Sequence, residues 1–247
     1  MKLITLNTWG GIVNEPLFEF IKNNSDIDIF CFQEVYPASV SPRPSLGKVR
    51  PNLFYDIQNV LPDFNGHHAV AQENDVGGLA IFIKKSFVVN NIKHAVVFKQ
   101  LNNTEDEDRE DYFSMGRDLQ CVEFSHLGKI YSILNFHGMW VGKGKIDTKR
   151  RIEQSEKVIK IFNGAKGAKI LCGDFNLRPD TKSIDILSEG NRNLVREYEI
   201  TSTRSSFYLK PEKFADYIIV SPDIEVENFK VLQDQVSDHL PLLLEFK

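Results

Sequence analysis

The chain has 247 residues, of which 42% are hydrophobic and 26% are charged, and its formal net charge is −4. This composition excludes a disordered, collagenous or coiled-coil protein, and the negative charge excludes a global electrostatic attraction to nucleic acid or anionic membranes. The length permits one domain or two closely packed halves, and we expect a single domain over residues 1–247.

No apolar stretch approaches the length of about 18 residues that a membrane span requires. The N-terminal sequence turns polar at Asn7, which is too early for the apolar core of a secretory signal. These features predict a cytoplasmic protein. Cys31, Cys121 and Cys172 lie far apart, each within an apolar run, as free core cysteines do.

Short β-branched and aromatic runs, bounded by Gly, Pro, Asn and Asp, predict strands along the whole chain. In chain order, these strands lie near residues 2–7, 27–33, 67–71, 78–83, 87–98, 117–124, 129–136, 168–172, 215–220, 226–232 and 241–246. Apolar residues at helical spacing predict helices at 16–23, 51–61, 148–163 and 181–188. Because strands occur both as neighbours and with helices between them, we expect an α/β protein: two mixed or antiparallel β-sheets packed face to face, with helices outside.

Charge runs and predicted loops leave several alternatives open. Loops are predicted at 36–50, 99–115 and 138–147. The acidic run 105–111 is typical of a solvated loop, with a calcium or partner site as the alternative, although it lacks the spacing of an EF-hand. Residues 143–169 carry nine basic and three acidic residues, which either line a groove for a polyanion or form an exposed helix face.

Acidic, amide and imidazole side chains fall at the ends of the predicted strands. These residues are Asn7, Glu34, Asn135, His137, Asp174, Asn176, Asp216, Asp238 and His239. Any one of them alone is compatible with a turn or a solvated position. Together they form a set of oxygen donors without cysteine ligands, which suits a hard cation such as Mg²⁺ or Mn²⁺. The imidazoles would then act as acid, base or charge stabiliser.

This pattern resembles the endonuclease/exonuclease/phosphatase superfamily of metal-dependent phosphoesterases. The most specific motifs are Gly173-Asp174-Phe175-Asn176 and, later in the chain, Ser237-Asp238-His239-Leu240-Pro241. The weaker motifs appear in the family's order and are Leu6-Asn7-Thr8-Trp9-Gly10, Gln33-Glu34-Val35, Gly78-Leu79-Ala80-Ile81-Phe82, Asn135-Phe136-His137-Gly138 and Asp216-Tyr217-Ile218. The resemblance covers nearly the whole chain and implies the four-layered, DNase I-like α/β sandwich.

The resemblance also implies a metal site for Mg²⁺ or Mn²⁺. Glu34 is the expected principal ligand, with Asn7 beside it and Asp238 reaching the same metal. Trp9 stands where the abasic-site nucleases of the family carry Asp or Asn, so the resemblance does not imply a second metal.

Catalytic roles follow from the same resemblance. Asp174 is expected to act as the base for the attacking water, and Asn176 to donate to a phosphate oxygen. His239 is expected to contact the scissile phosphate, with Asp216 orienting its ring. His137 resembles the second histidine of the DNase-like and sphingomyelinase-like branches and is a candidate to protonate the leaving group.

Substrate and partners are less specified than the chemistry. Trp140 either stacks on a base or sugar or fills the core, and Arg178 and Arg204 are candidate phosphate clamps. The leading expectation is a phosphodiester of a nucleic acid or nucleotide. Some motifs resemble the neutral sphingomyelinase-type branch, so the alternatives are a sphingomyelinase-like or a sugar or inositol phosphate phosphoesterase. The remaining alternative is a non-catalytic binding protein on this fold. The sequence does not predict the oligomeric state.

Overall fold

The computed structural model describes residues 1–37, 49–69, 77–98, 117–141 and 144–247. Within these residues, twelve strands form two six-stranded sheets. In spatial order, the first sheet contains β11 (Val226–Val231), β12 (Leu242–Phe246), β1 (Lys2–Asn7), β2 (Ile29–Val35), β4 (Gly78–Lys84) and β3 (Phe64–Ala69). The second contains β5 (Val88–Phe98), β6 (Arg117–His126), β7 (Lys129–His137), β8 (Ala168–Asp174), β10 (Asp216–Val220) and β9 (Arg192–Asn193).

Each sheet is mixed. Strands β1 and β2 pair in parallel in the first sheet, and β7 and β8 pair in parallel in the second. The other pairings are antiparallel. This arrangement confirms the expected pair of mixed sheets.

Helices cover the outer faces of both sheets. The described helices are α1 (Asn14–Asn23), α2 (Leu53–Val60), α3 (Lys149–Gly164), α4 (Lys182–Ser188) and α5 (Leu194–Glu197), with a short 3₁₀ helix at Trp9–Gly11. Buried residues of α1 and α2 share one core cluster with the first sheet, whereas α3 and α4 share another with the second sheet. The molecule is therefore the four-layered α/β sandwich that the sequence predicted.

Alternation along the central strands divides the apolar residues between these layers. In β2, Ile29 and Cys31 point into the core between the sheets, whereas Phe30 and Phe32 pack on the side of α1 and α2. All four side chains are fully buried. Because both faces of the strand are covered, its sequence is a continuous apolar run instead of an alternating one.

The differences from the predicted elements are local. Strand β3 begins at Phe64, three residues before the predicted 67–71, and positions 70–71 lie outside the described residues. Strand β9 and helix α5 were not predicted, because two and four residues are too short to show a period. Most of loop 36–50 and the whole of loop 99–115, which includes the acidic run 105–111, also lie outside the described residues.

The cysteines are free, as predicted, with Cys31 and Cys172 buried and Cys121 partly buried. In the described part of the chain, the helices are too short or too polar to cross a membrane.

Candidate active site

Several strand ends from both sheets meet at one edge of the sandwich. The parallel pairing of β1 and β2 places Asn7 beside Gln33, and the parallel pairing of β7 and β8 places His137 beside Asp174. Antiparallel β10 adds Asp216 opposite Asp174. Asn7 Nδ2 then donates to Asp174 Oδ2 across the boundary between the two sheets, at 3.1 Å. Residues far apart in the sequence therefore form one cluster.

Glu34 leaves the regular strand geometry just before the end of β2. Its φ is +57°, and the register of β2 against β4 shifts between Phe32 and Val35, as in a β-bulge. Thr8 Oγ1 donates to the carbonyl oxygens of Gln33 and Glu34, which supports this strained backbone. The Glu34 carboxylate accepts a hydrogen bond of 3.0 Å from Asn7 Nδ2, so the bulge places it in the cluster.

Asn7 connects the two carboxylates. Its Oδ1 accepts from the backbone N–H of Trp9 at 3.0 Å, which fixes the amide so that Nδ2 faces Glu34 and Asp174. An amide nitrogen does not ligate a hard cation. This orientation does not support Asn7 as a direct metal ligand and assigns it instead to positioning the two carboxylates.

Asp174 is the most enclosed carboxylate of the cluster, with 1% of its surface exposed. Its Oδ1 accepts from the backbone N–H of Asn176 at 2.8 Å, and its Oδ2 lies 3.6 Å from Nε2 of both His137 and His239. Burial opposes ionisation, but His239, Lys145 and the other nearby cations outweigh it and hold the pKa of Asp174 well below its usual range. Asp174 is therefore an anion held in the interior.

His239 is held by Asp216. Its Nδ1 lies 2.8 and 2.9 Å from the two Asp216 oxygens, and Thr203 Oγ1 donates to Asp216 at 2.9 Å. The ring therefore donates from Nδ1 and turns Nε2 towards Asp174. Burial lowers the pKa of His239, but Asp216 and Asp174 outweigh burial, so the pKa lies above its ordinary value. This arrangement favours the charged imidazolium.

His137 has the opposite electrostatic environment. Burial lowers its pKa to about 3, and the neighbouring Arg117 contributes in the same direction. Its Nε2 lies 3.9 Å from Glu34 and 3.6 Å from Asp174. This environment favours the uncharged imidazole, whose N–H can donate a hydrogen bond; the acid role of His137 stays a prediction.

Asp238 and Arg204 form a partly buried ion pair beside the cluster. Arg204 Nη1 lies 3.2 Å from Asp238 Oδ2, and the guanidinium stacks on the Tyr208 ring at 3.9 Å. Asp238 Oδ1 lies 3.8 Å from His239 Nε2. Of the three predicted substrate-binding residues, Arg204 is the one whose side chain contacts the cluster, among the described residues.

Arg178 and Trp140 lie at the periphery. The guanidinium of Arg178 pairs with Asp180, and its side chain is about half exposed, so the structure does not bring it into the cluster. Trp140 is 42% exposed, and the Lys210 ammonium lies 5.7 Å from its ring centre. The alternative that Trp140 fills the core is therefore wrong.

Lys145 belongs to the cluster but was not predicted as a site residue. Its Nζ donates to Asn176 Oδ1 at 2.6 Å, and the side chain is buried. The sequence around Lys145 did not indicate a buried site residue, because Lys145 is one of nine basic residues in the stretch 143–169. Arg151 in the same stretch is also buried and donates to the carbonyl oxygens of Gly144, Ile146 and Met139. Neither side chain belongs to an exposed basic surface.

The donor set fits a hard divalent cation. Burial raises the pKa of Glu34, and the nearby Asp238 and Asp174 raise it further against the hydrogen bond from Asn7. A cation beside Glu34 and Asp238 would relieve this repulsion between carboxylates. A tighter group of Asp174, Asp216 and His239 also has its ligand atoms within 4.8 Å of one another. Asp216 is already bonded to His239 and Thr203 there, so we assign that group to orienting the imidazole.

Replacing Gly173 by Ala is expected to disrupt this site through the backbone. Gly173 has φ +134°, and an added Cβ would lie 2.0 Å from the carbonyl oxygen of Phe136. We expect the free energy of unfolding to fall by about 3 kcal/mol or more, measured by urea denaturation. Gly164→Ala is the control, because an added Cβ there meets no atom within 4 Å. Equal stability of the two variants would contradict the assigned strain.

Comparisons with known proteins identify the family of the chain and the fold that it shares. The model of a family described as the Endonuclease/Exonuclease/phosphatase family matches residues 4–239. No curated protein sequence matches this chain. Several solved structures are similar over the whole chain despite low sequence identity, which shows a shared fold.

Three of these structures illustrate the range of proteins that share the fold. An endonuclease/exonuclease/phosphatase from Bacteroides vulgatus has a TM-score of 0.75 at 16% identity, covering 100% of this chain and 98% of its own. A mannosyl-6-phosphatase from Bacteroides thetaiotaomicron has a TM-score of 0.73 at 20% identity, covering 100% and 99%. D. rerio TDP2 complexed with a single-strand DNA product has a TM-score of 0.74 at 14% identity, covering 100% and 98%.

Proposed function

The chain belongs to the endonuclease/exonuclease/phosphatase family, and on that premise we propose that it is a divalent-metal-dependent phosphoesterase. The proposed reaction is in-line attack of an activated water on a phosphodiester, without a covalent enzyme intermediate. The observation that carries the proposal is the meeting of the Glu34 carboxylate, the Asp174 carboxylate and His239 Nε2 at one edge of the sandwich.

Glu34 and Asp238 would hold the metal, Mg²⁺ or Mn²⁺. When bound, such an ion supplies positive charge that stabilises the phosphate oxygens. Asn7 would keep Glu34 and Asp174 in place through its two hydrogen bonds, at 3.0 and 3.1 Å. In this proposal Asn7 acts on its two neighbours and does not contact the ion.

Asp174 would accept the proton of the attacking water. Its low pKa keeps it ionised, and the hydrogen bond from the Asn176 N–H holds Oδ1 so that Oδ2 faces the two imidazole Nε2 atoms. Asn176 Nδ2 would donate to one phosphate oxygen, and the His239 imidazolium would stabilise the charge on the phosphate. His137, held neutral, would donate a hydrogen bond to the departing oxygen.

The proposed substrate class is a nucleic acid or nucleotide phosphodiester. Its support is the exposed Trp140 ring, which follows His137 by three residues in the sequence and lies 5.7 Å from the Lys210 ammonium. Phe207, also 42% exposed, follows Arg204 by three residues. Exposed aromatic rings beside a cation suit a base and its phosphate. Arg204 lies at the start of the same segment and would contact the phosphate.

Hydrolysis of bis-p-nitrophenyl phosphate tests the reaction class. We expect turnover only with added Mg²⁺ or Mn²⁺, and loss of turnover when EDTA removes the metal. Glu34→Gln should require about 10- to 100-fold more metal for half-maximal rate, because a carboxylate ligand is lost. The control is Glu156→Gln on an exposed position of α3. Turnover that EDTA leaves unchanged would contradict the proposal.

A substrate panel tests the class of ester. Single-stranded DNA, RNA, sphingomyelin and sugar phosphates are compared at equal metal concentration. Preferential cleavage of a nucleic acid supports the proposed class. Preferential cleavage of sphingomyelin would favour a sphingomyelinase-like enzyme, and preferential cleavage of a sugar phosphate would favour a sugar phosphate phosphoesterase. Either result would contradict the proposed substrate class and leave the proposed reaction class unchanged.

A further inference from the structure

A single lysine lies in the interior beside the proposed catalytic groups. Lys145 precedes α3 by four residues and has 4% of its surface exposed. Lysine is rarely buried to this extent without a charged partner, because taking an ammonium out of water is costly. Its position therefore needs a reason.

The contacts of Lys145 are few. Its Nζ donates a hydrogen bond of 2.6 Å to Asn176 Oδ1. No carboxylate oxygen of the described residues lies within 4.0 Å of this Nζ. An ammonium has three donors, so this one hydrogen bond leaves most of its capacity unused. Burial lowers its pKa to about 8, and the more distant Asp174 opposes that shift. A neutral donor could make the same single bond at a lower cost in stability.

This contact fixes the orientation of the Asn176 amide. Because an ammonium only donates, the amide must turn Oδ1 towards Lys145 and Nδ2 away from it. Nδ2 then lies 3.3 Å from Asp174 Oδ2 and 3.3 Å from the carbonyl oxygen of Gly138. In the flipped amide, Nδ2 would face the ammonium, and two donors would repel. The flipped amide would also turn Oδ1 towards the acceptor oxygens of Asp174 and Gly138, so Lys145 acts together with them. Its own part is to exclude the flipped amide from the Oδ1 side, which a neutral hydroxyl or amide partner would not do.

The backbone of Asn176 is held as well. Its φ is +55°, and its N–H donates to Asp174 Oδ1 at 2.8 Å. The carbonyl oxygen of Lys145 accepts from the backbone N–H of Arg178 at 2.8 Å, which ties the two segments together. Since the backbone is already fixed, the Lys145 side chain adds two things: the orientation of the amide, and a share of the positive charge that keeps Asp174 ionised.

We propose that Lys145 is a positioning residue for phosphoester hydrolysis: it keeps the Asn176 amide turned so that Nδ2 faces Asp174 and can give one of its two N–H groups, both held in 3.3 Å contacts here, to the substrate phosphate. The inference rests on the proposed function. It predicts that the lysine is retained for the reaction at a cost in stability, since an apolar side chain would fill the same space without a buried charge.

Lys145→Met separates this role from a structural one. We expect kcat to fall about 10- to 100-fold and KM to change by less than about 3-fold, because a misdirected group weakens the transition state more than binding. We expect the thermal unfolding midpoint to stay unchanged or to rise. Lys149→Met makes the same chemical change at an exposed position nearby and should leave kcat unchanged.

A double-mutant cycle tests the route through Asn176. In an Asn176→Ala background, Lys145→Met should lower kcat much less than it does in the wild type, because the amide that it positions is gone and only its charge beside Asp174 is lost. Losses that multiply in the double variant would overturn the proposal, and so would a lowered unfolding midpoint with unchanged kcat. An inactive wild-type protein would remove the proposed function itself, whereas an active wild type with unaffected Lys145→Met kinetics would remove this inference alone.

Discussion

Asp174→Asn is expected to lower kcat by about 10³-fold or more, because the substitution removes the only group that we propose as proton acceptor for the attacking water. General-base catalysis contributes about 10²- to 10⁴-fold. The expected loss is large because the substitution also removes a buried negative charge that lies 3.6 Å from both imidazole Nε2 atoms. The amide of the variant would also present N–H groups to Asn7, so the geometry that aims the oxygen is lost with the charge.

Single-turnover and steady-state rates with bis-p-nitrophenyl phosphate measure this effect. Circular dichroism checks that the fold is retained. Asp180→Asn serves as the matched control, since Asp180 is exposed and pairs with Arg178 outside the cluster. Full activity in Asp174→Asn would remove the assigned base. A wild-type rate no higher than that of the variant would instead favour the alternative that the chain is a non-catalytic binding protein.

His239→Ala is expected to lower kcat by about 10³-fold through a different loss. The variant removes the imidazolium that Asp216 holds at 2.8 Å, and with it the positive charge beside the phosphate. It also leaves the Asp216 carboxylate buried, with Thr203 as its remaining hydrogen-bond donor among the side chains described. We therefore expect some loss of stability together with the loss of rate.

Two measurements separate these effects. The rate is determined at a temperature where thermal unfolding shows that the variant is fully folded. His94→Ala is the control, because His94 is exposed on β5 in the second sheet. Near-full activity in folded His239→Ala would contradict the proposed role of the imidazole, even if Asp174→Asn behaves as expected.

The sequence predicted those parts of the site that strand geometry determines. Glu34 and Asp174 each lie at the end of an apolar run, and the parallel pairs of the two sheets bring such ends to one edge. His239 was predicted beside them because it lies just before the last predicted strand. The layer arrangement was predictable for a similar reason. Residues such as Ile29 and Phe30 alternate between two buried faces, which requires covering layers on both sides.

Features that depend on distance and burial were not predictable. Lys145 looks like any other cation of a basic stretch until the fold buries it against Asn176. The sequence suggested an acid role for His137, but the charge on that imidazole depends on its burial and on Arg117. The direction of the Asn7 amide depends on a backbone N–H two residues away. These are properties of packing, which no spacing of residue types encodes.

The hydrogen bond from Asn7 to Asp174 crosses from one sheet to the other, so the catalytic constellation is shared by two layers that fold from different parts of the chain. Neither sheet alone carries the complete set of proposed catalytic residues. A loosened state that preserved every strand but let the sheets slide by a few ångströms would retain its secondary structure and lose its turnover. We therefore expect the turnover of this protein to depend on how the two sheets pack against each other.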